Sequence, residues 1–237
     1  MEVQIWFRTI CVKNSFVLSD AQFEQLVEYV SRLTEWNNKV NLISRRDVDR
    51  IWERHIIPSI AFTFAAKLSM PARILDLGTG GGLPGIPLAI LLPEARITLL
   101  DSIGKKIKAV EDILHHLSLE NVEVVCGRAE EIGRRAEFKS SFEYVIARAV
   151  APVVDIIKWG QPFIRRTSPQ KLQHRYDDRI QSIRPGSILM LKGGNLDGEI
   201  NQARRKLPSV EVFSYPIAVE GIEPDLLPDK KIVVAYP

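Results

Sequence analysis

The chain has 237 residues, enough for one large domain or one domain with an added helical piece. At 46% hydrophobic and 26% charged it has a globular composition, and no apolar run approaches the roughly 18 to 20 residues that span a bilayer. A net charge of +3 does not by itself establish a nucleic-acid partner, and two cysteines, Cys11 and Cys126, form neither a disulfide framework nor a metal set, which points to a reducing cytoplasm.

Residues 1–17 show no clear period, and Glu2, Arg8 and Lys13 interrupt any signal-like apolar run. Ser19 to Gln22 is a capping-box pattern, with Leu18 and Phe23 placed as a hydrophobic staple. Phe23, Leu26, Val27, Val30, Leu33 and Val40 fall near helical spacing, which predicts an amphipathic helix from Asp20 to about Asn37. A polar turn over 41–47 follows, then a second helical stretch from Asp47 to about Lys67, which Pro58 should kink or split. Its start carries Arg45, Arg46, Arg50, Arg54 and His55. Because Asp47, Asp49 and Glu53 are interspersed, charge alone reads as a solvated face.

Residues 72–87, ARILDLGTGGGLPGIP, join a buried-strand pattern to a glycine turn and a Pro-started helix over 84–92. Glycines bring backbone close to a ligand, and a helix start supplies N–H donors. Two frames compete here. Gly80-x-Gly82-x-x-Gly85 satisfies the dinucleotide fingerprint. Asp76-x-Gly78-x-Gly80-x-Gly82 resembles motif I of the Rossmann-like S-adenosylmethionine methyltransferases. That cofactor has no phosphate but carries an ammonium and a sulfonium, so an acid before the turn makes electrostatic sense.

Strands are predicted over 73–77, 96–101, 122–126, 142–147, 186–192, 209–217 and 231–236. Helices are predicted over 103–118, near 129–135, and over 152–164 and 196–206. This alternation implies a mostly parallel sheet covered on both faces. No helix separates the last two strands, so they should form an antiparallel pair, as in the methyltransferase version of the fold. Residues 161–185 hold six Lys or Arg against two Asp, with His174 and Tyr176. They read either as a basic arm for a nucleic-acid backbone or as an exposed helix.

Ligands of open α/β sheets bind beyond the carboxyl ends of the strands. Asp101, about twenty residues past the turn, suits a ribose under either frame, with Ser102 and Ile103 beside it. Ala129 and Glu130 stand where an adenine edge would lie. Arg148, directly after an apolar strand, and Lys192 would make the same sheet edge positive, which suits a phosphate-bearing substrate. Arg148→Ala is therefore expected to abolish activity with little loss of stability. Cys126 reads as a core strand residue. No His/Asp/Glu cluster has metal spacing, no Asn/Asp-Pro-Pro-aromatic motif is present, and neither cysteine follows a proline. Chemistry without a metal or covalent nucleophile remains, and guanine N7, which bears a lone pair, is one such acceptor.

NLISRRD (41–47), RHIIPS (54–59), ILDLGTGGGLPGIPLAI (74–90), TLLDSIGKKI (98–107), GRAEE (127–131), ARA (147–149) and LKGG (191–194) together resemble one family. It is that of the bacterial 16S ribosomal RNA guanine-N7 methyltransferases, also called glucose-inhibited division protein B. The resemblance implies an α/β fold of the Rossmann-like class I S-adenosylmethionine methyltransferases, with a seven-stranded, mostly parallel sheet. Residues 1–70 would be an N-terminal helical extension and 71–237 the methyltransferase domain, the two forming one compact unit.

The implied enzyme is a cytoplasmic monomer that uses S-adenosyl-L-methionine, needs no metal or membrane, and acts on 16S ribosomal RNA or the small ribosomal subunit. By the same resemblance the cofactor would touch Asp76, Gly78, Gly80, Gly82, Leu83, Asp101, Ser102, Ile103, Ala129, Glu130 and Arg148. Arg45, Arg46, Arg54, Lys105, Lys192 and Lys230 would bind the RNA, with Arg148 and Lys192 at the reaction centre. Pro58 departs from the family's usual Asp before Ser59. A nicotinamide-dependent oxidoreductase and a non-catalytic, cofactor-sensing RNA-binding module stay open as alternatives.

Overall fold

A computed structural model describes residues 2–148, 150–165, 181–223, 227 and 229–237. Most of the basic segment, 166–180, lies outside these residues. The chain opens with α1 (Glu2–Lys13), where the sequence suggests no element. Phe7, Ile10 and Cys11 are buried on one side of it, but Val3, Ile5 and Val12 are exposed on others, so the apolar period is blurred. Helix α2 (Asp20–Asn37) begins as its capping box predicts, with Ser19 and Gln22 exchanging both bonds. Tyr29 joins its buried side, whereas Val27, expected there, is largely exposed.

The stretch that Pro58 is expected to kink or split is three pieces: a 3-10 turn over Arg45–Arg50, a wide π turn over Trp52–Ile56, and α3 (Ile57–Ala65). Proline tolerates only the first turn of a helix, so Pro58 fixes where α3 starts. The wide turn absorbs the change, with the Ile57 N–H donating back five residues to Trp52 O. Pro58 also offers no N–H to the Arg54 carbonyl four residues before it.

A small parallel pair, β1 (Ala66–Leu68) with β6 (Gln181–Ile183), was not anticipated. It accounts for the end of the basic segment as strand, where an arm or a helix is expected. The main sheet contains β2 (Arg73–Leu77), β3 (Arg96–Asp101), β4 (Val122–Cys126), β5 (Tyr144–Arg148), β7 (Ser187–Gly193), β8 (Glu211–Pro216) and β9 (Lys230–Tyr236). Its order is β4-β3-β2-β5-β7-β9-β8, parallel except for β9, which runs antiparallel between β7 and β8. This is the doubly wound sheet with a terminal hairpin that the strand spacing implies.

Five helices alternate with these strands: α4 (Gly85–Leu91), α5 (Gly104–Leu117), α6 (Ala129–Ile132), α7 (Val153–Gly160) and α8 (Asp197–Lys206). Strand residues divide by parity. Ile74, Tyr144, Ile146, Leu189 and Val234 pack with residues of α1 to α5 on one face. Leu75, Val145, Ala147, Met190 and Val233 pack with residues of α6 to α8 on the other. The N-terminal helices thus bury their apolar side against the same face as α4, which follows the glycine turn. Cys126 is corrected here: β4 is an edge strand, and its last residue is exposed. Among the described residues no helix is long and apolar enough to cross a membrane, and no cluster of His, Cys, Asp and Glu could hold a metal ion.

Candidate active site

A cavity of about 360 Å³ opens beyond the carboxyl ends of β2, β3 and β4. Gly78, Asp101, Ser102, Ile103, Ala129 and Glu130 line it, as expected from their positions at strand ends. Lys106, Arg128, Val150 and Trp159 also line it. Lys106 stands one helical turn past the Asp101 loop and was within reach of sequence reasoning. Trp159 comes from α7, which packs beside α6 on one face of the sheet, and no local spacing signals it. Gly78 needs its hydrogen: it holds φ at +74°, and a Cβ would lie 2.8 Å from the Val150 side chain.

The backbone donors of the turn are spent inside the protein. The Gly78 and Thr79 N–H groups donate to Leu100 O at 2.8 and 3.0 Å. Those of Gly82 and Leu83 donate to Thr79 O, each at 2.9 Å, and Ile86 N–H donates to Gly82 O at 2.8 Å. Gly80 N–H donates to Asp101 Oδ2 at 3.0 Å, and Gly85 N–H to Asp76 Oδ2 at 2.9 Å. Among the described residues, the Gly81 N–H alone in this turn donates to no protein acceptor. A dinucleotide turn offers such N–H groups to a pyrophosphate. This one offers almost none, although Gly85 packs closely enough to satisfy that frame: a Cβ there would sit 2.2 Å from Leu99.

Asp76, expected at the cofactor, is 0% exposed and does not line the cavity. Its Oδ2 accepts from Thr79 Oγ1 at 2.7 Å and from Gly85, so it braces the turn from beneath, while Oδ1 is buried without a partner among the described residues. Burial pushes its pKa up to about 7. Gly80, Gly82 and Leu83 likewise shape the turn without lining the cavity. Asp101 does face it while 8% exposed, and its Oδ1 accepts from Ile103 N–H at 2.9 Å. Ile103 leaves an apolar side chain 46% exposed at the rim. From above, α2 closes on the turn: the Tyr29 hydroxyl donates to Gly81 O at 2.9 Å, and Leu33 packs where a Gly81 side chain would be.

The two cations expected at the reaction centre are committed elsewhere. Arg148 points its fork into the broken helix. Nη1 donates to His55 O and Ser59 Oγ, both at 2.9 Å; Nη2 donates to Arg54 O at 3.0 Å and to His55 Nδ1 at 2.8 Å. Four of its five N–H donors are thus used, and burial lowers its pKa to about 10. Its removal must therefore cost stability, against the expectation from sequence. Lys192 donates to Ala151 O and to Glu199 Oε2, each at 2.9 Å, so its charge is paired.

Four arginines lie on the broken helix. Arg45, Arg46 and Arg50 are exposed and Arg54 is half-buried, and none has a carboxylate partner among the described residues. Asp47, expected to neutralise them, faces His55 instead. Asn37 Oδ1 holds the preceding turn by accepting from Leu42 and Ile43 N–H at 2.8 and 2.9 Å. Lys230 is half-buried near Arg148 and Arg54, and burial with those charges lowers its pKa. Lys105 is exposed on the first turn of α5.

Sheet order, terminal hairpin and cavity define a class I methyltransferase. A family model for rRNA small subunit methyltransferase G matches residues 22–170. The ribosomal RNA small subunit methyltransferase G of Chlorobium phaeobacteroides is 36% identical over 234 residues, covering 96% of this chain and 93% of that protein. Its counterpart from Flavobacterium johnsoniae is 35% identical over 216 residues, covering 91% of each chain. Among solved structures, the O-methyltransferase TomG of Streptomyces achromogenes superposes with a TM-score of 0.51 at 16% identity, over 99% of this chain and 95% of that one, a likeness of fold. The chain belongs to the rRNA small subunit methyltransferase G family and is an S-adenosylmethionine-dependent methyltransferase.

Proposed function

We propose that this enzyme methylates N7 of a specific guanine in 16S ribosomal RNA of the small subunit. The supporting observation is the contrast between two surfaces: a ligand cavity whose turn has spent all but one of its N–H donors, and the arginines at 45, 46, 50 and 54, which have no carboxylate partner among the described residues. The first suits a nucleoside without phosphate, and the second suits an RNA backbone.

The cavity fits the cofactor: its volume is within the usual range of about 300–1,000 Å³ for small ligands, and it combines an acid with an apolar rim. Asp101 would accept from ribose hydroxyls, Ile103 and Ala129 would contact the adenine faces, and Glu130 would meet its polar edge. Gly78 would let the ligand lie against backbone. Once bound, S-adenosylmethionine supplies an electrophilic methyl on sulfur. Guanine N7 would take that methyl with its own lone pair as the bond to sulfur breaks and the electron pair stays on sulfur, so this chain has no proton to remove. Its contribution is to seat the RNA through Arg45, Arg46, Arg54, Lys105 and Lys230, to align the base, and to exclude water. Arg148 and Lys192 act by holding their neighbours in place.

Incubating the protein and labelled cofactor with small subunits or 16S RNA lacking the modification tests this. N7-methylguanosine is expected in the digest, and its absence from both substrates would sink the proposal. Calorimetry with S-adenosylhomocysteine and NADH should show binding of the first only. A cytoplasmic, monomeric, metal-independent enzyme accompanies this reading, and sedimentation and activity in chelator test the last two properties.

A further inference from the structure

The largely buried imidazole of His55 sits between two charged groups, and nothing in the cofactor cavity requires it. Its Nδ1 faces Arg148 Nη2 at 2.8 Å. A guanidinium nitrogen can only donate, so Nδ1 must carry a lone pair and the ring proton belongs on Nε2. Nε2 faces Asp47 Oδ2 at 3.4 Å, a contact that orients the ring without forming a full hydrogen bond. Asp47 belongs to the 3-10 turn that carries Arg45, Arg46 and Arg50. Arg148 ends β5, the neighbour of the strand that enters the glycine turn. The chain of contacts therefore runs from the arginine-bearing turn, through the imidazole, to the strand beside the one that enters the glycine turn.

We propose that His55, oriented by Asp47, is a positioning residue for methyl transfer: its Nδ1 lone pair fixes the Arg148 fork and thereby sets where the 45–54 arginines stand relative to the cofactor cavity. The charged groups around the ring are Asp47 from the turn, Arg148 from β5 and Arg54 from its own stretch, with Lys230 of β9 beside the two arginines. Burial and the Arg148 charge hold the imidazole neutral, its pKa pushed down to about 4. The geometry uses the neutral ring, since a protonated Nδ1 would face a guanidinium.

This inference rests on the assignment of RNA as substrate, and wild-type transfer onto RNA tests that assignment separately. The variants are His55→Asn, whose amide oxygen can stand where Nδ1 stood, His55→Leu, which has no acceptor, and Asp47→Ala. For each, KM for RNA, kcat, S-adenosylhomocysteine affinity and melting temperature are measured. His55→Asn should stay within about threefold of wild type in KM for RNA, while His55→Leu raises it about tenfold or more, the usual consequence of losing a bond to a charged group. Cofactor affinity should stay within about twofold in both. A merely structural histidine would give equal losses in the Asn and Leu variants, moving melting temperature and cofactor affinity together, and that result overturns the proposal. Should His55→Leu fail to fold, Asp47→Ala decides, because a wild-type KM for RNA in that variant also overturns it.

Discussion

Arg148→Met is the perturbation that most directly tests the built site. Methionine fills most of the buried volume but donates nothing to Arg54 O, His55 O, Ser59 Oγ and His55 Nδ1. His55 O keeps a bond from Ser59 Oγ at 2.7 Å, so the main losses fall on Arg54 O and His55 Nδ1. A hydrogen bond to a charged group contributes about 1.5–3 kcal/mol, and part of that is returned because a guanidinium no longer has to be desolvated. A net loss of about 3 kcal/mol follows, equivalent to about 6–12 °C in melting temperature for a chain of this size. Differential scanning fluorimetry, backed by urea unfolding, reads it directly. S-adenosylhomocysteine binding should weaken far less than RNA methylation, since Arg148 does not line the cavity. A melting shift below about 2 °C would show that the fork is not engaged as described.

Three further outcomes are expected. Gly85→Ala places a Cβ 2.2 Å from Leu99 and 2.6 Å from Asp76, so it should cost about 1–3 kcal/mol in urea unfolding and weaken cofactor binding. Asp76 has a folded pKa raised to about 7, so the native state holds its proton longer than the unfolded chain does. Wild type should therefore lose stability relative to Asp76→Asn as pH rises from about 4 to 7, by a few kcal/mol in all, and a flat difference across that window would contradict the burial argument. Cys126 should react rapidly with a thiol reagent in the native protein, while Cys11, whose pKa burial pushes up to about 11, should react only on unfolding.

The main strands were legible because both of their faces are covered, which makes them continuous apolar runs such as Val145-Ile146-Ala147. The cavity was legible where the strands end, since Gly78, Asp101 and Ala129 follow directly from those boundaries. What escaped depends on contacts far apart in sequence. No spacing announces that Arg148 meets residues more than ninety positions earlier, or that Trp159 reaches the cavity. Strands β1 and β6 are three residues each and too short for a period to show. Charge counting also misled at Asp47, which looked like a neutraliser of arginines and instead faces a histidine.

The place of β9 in the sheet has a consequence for how the chain is made. It follows β8 in sequence yet lies between β7 and β8, and among the described residues β8 pairs with no other strand. Until Lys230 to Tyr236 have left the ribosomal tunnel, β7 presents an open edge and β8 has nothing to join. The sheet therefore closes late, by inserting its last strand into a waiting gap. A nascent chain stalled before that point would expose the open edge of β7, with β8 unpaired, and depend on chaperones.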